Sequence, residues 1–316
     1  MNARALGMIG AAVVGVLLAA QARLNGALGA ELGDGVIAAL ISFGGGLAVL
    51  LPAAVLHPAG RRGARRLVAE VRGSGGLRAW HCLGGVCGAY LVITQGVAAG
   101  GLGVALFTVS VVAGQVTSGL VVDRFGLGPA GPQPVTVLRL VGAALAVFAV
   151  LIAVSAQLGD AQVSWLVLLP GLAGLGLGWQ AAVNGRVQQV ASTLTAATLN
   201  FGVGTLALVL ASAAVLVLRG APERFPTEPW LYAGGLIGIV VIVGNVALVR
   251  FTGVLVLSLG LIAGQLLGAL LLDVLVPVPG SVVVPSTVFG VLLTLIAVGV
   301  AAVPDRRSRP DPGLPR

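Results

Sequence analysis

Charge is scarce in this chain. Only 9% of its 316 residues are charged, against about 25% in a soluble domain. With 58% of residues apolar and a mean hydropathy of +1.07, the chain cannot cover itself with a polar surface, so its solvent is lipid. Lysine is absent, and all eighteen basic residues are arginine. The pI of about 11.3 therefore does not mark a nucleic-acid binder. The arginines stand at the ends of apolar segments, with no basic patch interleaved with aromatics. Strands of alternating polarity, which a membrane barrel needs, are missing as well. The apolar runs are long and nearly unbroken, as at 36–51, 141–156 and 231–243. In lipid every backbone polar group must be paired within its own segment. The expected fold class is thus all-α, a polytopic membrane protein.

Reactive side chains are equally sparse. Two cysteines, Cys82 and Cys87, stand about 140° apart on a helix; they read as small buried residues rather than a disulfide or metal pair. Two histidines, His57 and His81, with no Asp-rich motif and no Ser/His/Asp set, leave a membrane-embedded enzyme without its acid, base or metal. No cofactor and no metal is expected. Gly171-x-x-Gly174-x-Gly176-x-Gly178 resembles a phosphate loop only superficially, because no strand precedes it and it lies inside an apolar span. No carboxylate falls at mid-membrane.

The informative presence is a repeat. Gln21-Ala-Arg-Leu-Asn25-Gly26 returns as Gln180-Ala-Ala-Val-Asn184-Gly185. Ser42-Phe43-Gly44-Gly-Gly46 returns as Asn200-Phe201-Gly202-Val-Gly204. Trp80…Gly84-Gly85…Gly88 returns as Trp230…Gly234-Gly235…Gly238. Ala113-Gly114-Gln115…Asp123 returns as Ala263-Gly264-Gln265…Asp273. Four units in one order, shifted by 150 to 159 residues, indicate duplication. We therefore divide the chain into a first five-helix repeat (1–156), a linker (157–164), a second five-helix repeat (165–303) and a cytoplasmic tail (304–316).

At about 20 apolar residues per span, ten spans are expected: 5–28, 35–56, 80–99, 101–122, 135–156, 165–187, 194–218, 230–250, 253–275 and 286–303. The pair 80–99 and 101–122 admits one long bent helix as an alternative. Arg4, an apolar stretch and Ala20-Gln21-Ala22 imitate a cleavable secretory signal. The same Gln-x-x-x-Asn-Gly unit recurs at residue 180, so the segment is expected to stay as the first span. Ten spans put fifteen arginines on one side and three (Arg23, Arg219, Arg224) on the other. The positive-inside rule then places both termini in the cytoplasm. Because five is odd, the second repeat enters from the opposite face, an inverted duplication of the kind secondary transporters use.

Polar groups inside lipid need a reason. Gln21 and Asn25 share one helix face at i, i+4, as do Gln180 and Asn184; Gln115 and Gln265 form a third matched pair. These six, with Trp179 beside Gln180, are the candidates for a substrate path. Interhelical hydrogen bonding is the competing and compatible role. Asp123 and Asp273, at the ends of spans 4 and 9, are candidates for gates or helix-end anchors.

The four units resemble the YdcZ family of bacterial membrane proteins, part of the drug/metabolite transporter superfamily. Asp123-x-Phe125-Gly126 carries the resemblance further in the first copy. The second copy departs from it, with Val-Leu-Val after Asp273 and Asn200 in place of Ser42. The resemblance implies an exporter of the cell (inner) membrane made of two fused five-helix units. The expected partners are membrane lipid and a small-molecule substrate, without nucleic acid. The function to be tested is small-molecule transport by alternating access. Its alternatives are a non-transporting assembly or regulatory subunit and, less favoured, a membrane enzyme.

Overall fold

The structure, a computed structural model, describes residues 3–73, 76–129, 131–155, 165–277 and 283–302, with the backbone alone for 3–5, 245–247 and 249–256. The linker at 157–164 and the tail at 304–316 lie outside the described residues. Among those described there is no strand. The helices are α1 (Ala3–Leu32), α2 (Gly35–Leu56), α3 (Pro58–Arg72), α4 (Gly84–Thr94), α5 (Val104–Arg124), α6 (Val137–Val154), α7 (Leu168–Val190), α8 (Thr193–Arg219), α9 (Gly234–Leu275) and α10 (Pro285–Ala301). Seven stretches are long and apolar enough to cross a membrane, and two shorter apolar ones, Pro229–Gly244 and Pro285–Ala301, accompany them.

Local chemistry sets the boundaries. The Asp34 carboxylate accepts from the N–H groups of Val36 and Ile37 and so caps α2, answering donors that a helix start leaves free. Ser192 caps α8 through the N–H of Thr195. The stretch 57–79, read from sequence as a loop, contains α3. Its arginines point outward while Gly60, Gly63 and Leu67 are buried, giving an amphipathic helix too charged to be a span.

Two expectations about the long apolar stretches need correction. The break between 80–99 and 101–122 falls at Gly103, where φ is +78°, rather than at Gly100-Gly101. A π-helical stretch, Gln95–Ala99, precedes it. The spans expected at 230–250 and 253–275 meet with no loop residue between them, and together they form the helical stretch α9, Gly234–Leu275. Its neighbours on α1 nevertheless show that it doubles back. Gly234 faces Asn25, Gly238 faces Gln21, Gly244 faces Val14, and Leu248 faces Gly10. Beyond that, Gly260 faces Ala11, Gly264 faces Ala12, and Gly268 faces Val16. The partner number falls along the first limb and rises along the second, so the limbs run in opposite directions beside α1. The pair α4 and α5 clasps α7 in the same way: Gly84 faces Asn184, Gly88 faces Gln180, Gly114 faces Gly171, and Ser118 faces Gly178.

These crossings are backbone contacts. A Cβ at Gly85 would strike the carbonyl of Asn200, and one at Gly235 that of Ser42. One at Gly174 would strike the carbonyl of Val111, and one at Gly264 that of Ala12. Small residues permit such approach between helices in lipid, where packing replaces the hydrophobic effect. At the centre the rings of Phe43 and Phe201 lie 5.0 Å apart. A Cβ at Gly46 would strike the Phe201 ring and one at Gly204 the Phe43 ring. The most enclosed helix is α5, buried continuously from Val104 to Gly114.

Glycines at these crossings should be irreplaceable. Gly174→Ala is expected to lose about 1–3 kcal/mol through overpacking. Gly45→Ala, where a Cβ meets nothing within 4 Å, should be neutral or gain up to about 1 kcal/mol in helix propensity. Unfolding of the two variants in detergent checks the contrast.

Candidate functional site

The repeated amides form two clusters, each built across the two halves of the chain. In the first, Gln21 Nε2 donates to the carbonyl of Gly234 at 2.9 Å, and Asn25 Nδ2 donates to Gln95 Oε1 at 2.7 Å. Asn25 Oδ1 has no hydrogen-bond partner and rests against the Cα of Gly234, beside Ser42 Oγ. In the second, Gln180 Nε2 and Asn184 Nδ2 both donate to Asn200 Oδ1, each at 2.9 Å. Gln180 Oε1 has no partner, and Asn184 Oδ1 lies over Gly84. The glycine motif of one half is therefore the seat of the other half's amides. Amide oxygens against glycine Cα atoms suit weak Cα–H···O contacts.

The clusters match in sequence and differ in exposure. Ala22 is 1% exposed and Asn25 fully buried, and Gly26 and Gly29 are buried too. At the corresponding positions Ala181 and Gln188 are exposed, and Asn184 and Gly185 are half-buried. The second cluster borders a cavity of about 270 Å³ lined by Gln180, Asn184, Gln188, Thr193, Asn200 and Ile242, among others.

The cause lies in the π-helical stretch. Gln95 and Gly96 press on α1 and α2 so closely that a Cβ at Gly29 or Gly35 would meet the backbone of Gly96. In the other half Gly29, Gly35 and Gly96 are replaced by Gln188, Thr193 and Val246. Backbone-to-backbone closure is lost with them. π-bulges concentrate at functional sites.

The remaining candidates fall elsewhere. Gln115 and Gln265 sit at the α5–α7 and α1–α9 crossings, beside Gly174 and Gly15. They are half-buried, belong to neither cluster, and make no side-chain hydrogen bond among the described residues. Trp179 stacks on Trp80 with centroids 6.3 Å apart, next to the cavity rather than in its lining. Asp123 pairs with Arg139. Asp273, 5% exposed, accepts from the N–H groups of Val104 at 2.9 Å and Ala105 at 2.7 Å. It thereby caps α5 from the opposite half of the chain. A Cβ at Gly103 would come within 2.9 Å of Asp273 Oδ2, so Gly103 is required both by its positive φ and by this approach.

Asn200 and Gln95 are the groups that pair with the predicted amides; sequence reasoning gave the lone amide Gln95 little weight and noted Asn200 only as a departure from Ser42. Asn200 could have been found, since it is a larger polar group than its counterpart Ser42 inside a repeated unit. Among the described residues no group of three His, Cys, Asp or Glu side chains could hold a metal.

A family model described as "putative inner membrane exporter, YdcZ" matches residues 6–152 and again residues 165–300. The chain belongs to the YdcZ family. Each match covers one copy of the repeat, so this YdcZ protein is two family units in one multi-pass membrane chain. No curated protein matches it. A solved crystal structure, described only as that of a protein, aligns over 95% of this chain and 96% of its own. Its TM-score is 0.54 at 18% identity, a likeness of fold alone.

The difference in exposure can be measured with thiol reagents in a Cys82→Ser, Cys87→Ser background. Ala181→Cys should react readily with a water-soluble maleimide in the folded protein, and Ala22→Cys should stay protected. Equal labelling would show the two clusters to be equally open.

Proposed function

We propose that this chain is a secondary transporter of small molecules, exporter-like, working by alternating access between two inverted five-helix repeats. Counting the limbs of α9 separately gives ten crossings. With the arginine distribution read by the positive-inside rule, both termini, α3 and the cavity are taken to lie on the cytoplasmic side. Gly103, Asp273 and the closed cluster face outward.

One observation carries the reading. Matched amide clusters lie on opposite sides of the Phe43–Phe201 contact, and one is open to a cavity while its counterpart is sealed. That is the asymmetry expected of a transporter caught facing the cytoplasm, with its site at the repeat interface.

Gln180, Asn184 and Asn200 would meet the cargo first. Asparagine and glutamine side chains both donate and accept, and Gln180 Oε1 is still without a donor. With no charged side chain lining the cavity, a neutral or zwitterionic cargo fits, and coupling to protons is weak or absent. Gln115 and Gln265, holding no side-chain hydrogen bond among the described residues, would bind cargo beyond the clusters.

The outer gate in this reading is the Asp273 cap on α5. Opening outward separates α9 from α5, and the N–H groups of Val104 and Ala105 must lose their acceptor. Asp123, held by Arg139, anchors the inner end.

A thermal-shift screen of metabolites and drugs identifies a ligand, and uptake of that ligand into proteoliposomes tests transport. Gln180→Ala and Asn184→Ala should each reduce flux by about fivefold to a hundredfold, the order expected when about 1–3 kcal/mol of polar contact is lost. No flux of any stabilising ligand would favour the non-transporting subunit instead.

Asp273→Ala removes the cap, which at about 0.5–2 kcal/mol should shift the population outward. The expected readout is faster labelling of Ala22→Cys from outside, with Ala181→Cys slowed. Unchanged labelling at both positions would remove Asp273 from gating.

A further inference from the structure

Beyond the transport path, an apolar groove of about 520 Å³ runs between α2 and α8 and ends beneath α3. Leu47, Leu51 and Val55 form one wall, Leu199, Val203 and Leu206 the other, and Arg61 stands at the α3 end. The walls cover nine residues of α2 and eight of α8, about 11–13 Å each. The groove faces lipid: Leu51, Val55 and Leu206 are 50%, 56% and 61% exposed.

Above it, α3 is fixed in place. Gly60 packs on the carbonyl of Ala54, Gly63 on Thr195, and Leu67 is buried with Val187 and Ala196. The helix carries Arg61, Arg62, Arg65, Arg66 and Arg72 against the single carboxylate of Glu70. None of these arginines forms an ion pair among the described residues. The protein thus holds an unneutralised cationic helix rigidly over a groove of acyl-chain character.

We propose that this groove is a binding site for one anionic phospholipid, with an acyl chain between α2 and α8 and its phosphate on Arg61. Charge complementarity selects the headgroup, since arginines at an anionic membrane surface attract anionic lipid. The groove selects a lipid over a free anion.

Another large apolar groove among the described residues, about 450 Å³ between α5, α6 and α7, has no charged residue in its lining. In the second half of the chain the stretch after α8 is not helical and carries Glu223 and Glu228. The site therefore belongs to one half and one face. It depends on the membrane assignment and not on transport.

The test uses full-length protein in nanodiscs of zwitterionic phospholipid containing a minor fraction of anionic phospholipid. Native mass spectrometry after stepwise delipidation then reads the retained lipid. One anionic lipid should persist on the wild-type protein. Arg61→Gln should reduce its retention several-fold, and so should Val203→Trp, which fills the groove. Arg72→Gln, at the far end of α3, should leave retention unchanged. Equal retention of zwitterionic lipid would overturn the proposal, as would equal losses in Arg61→Gln and Arg72→Gln, which would mean diffuse surface charge. Displacement by inorganic phosphate would also overturn it.

Discussion

The close approach of backbones at glycine holds this molecule together. Between helices in lipid there is no hydrophobic driving force, so association rests on packing and on the few polar groups that find partners. Gly85 on Asn200, Gly235 on Ser42, Gly174 on Val111 and Gly264 on Ala12 bring the helices near enough for short amides to reach across. Without those contacts Gln21 could not reach the carbonyl of Gly234. The amide clusters follow from the glycines, and each of these four crossings joins one half of the chain to the other.

The same contacts explain why the two clusters cannot close in the same way. Gly29, Gly35 and Gly96 let three backbones meet around the π-helical stretch. Gln188, Thr193 and Val246 occupy the matching positions, and a closure there would have to be made by side chains. One cluster is sealed by main chain. The other borders a cavity with a polar lining. Duplication supplied the geometry, and substitution at three positions made its two faces unequal.

Much of this was legible in the sequence, and the boundary is physical. Composition requires helices because lipid leaves the backbone no other partner, and the repeat supplies the matched amides because both copies keep the Gln-x-x-x-Asn face. What lies across from that face was hidden. Asn200 and Gln95 reach Gln180 and Asn25 only through folding, from 20 and 70 residues away. α3 was missed because its arginines were counted as loop charge, although Gly60, Gly63 and Leu67 mark a buried edge. The turn between the limbs of α9 carries no Pro and no Gly pair, so the sequence offered a boundary there by length alone. The reversal shows itself only in the order of contacts along α1.

Asp123 and Asp273 occupy matched positions yet answer to different partners. The residue facing Asp123 is Arg139. By the matched crossings of Gly142 on Ala297 and Gly290 on Ala149, its counterpart is Thr287, which is buried and uncharged. Two identical subunits assembled head to tail could never hold this difference, because any change made at one mouth would appear at the other. Joining the copies in one chain lets matched positions carry different contacts: an ion pair at Asp123 and a backbone cap at Asp273.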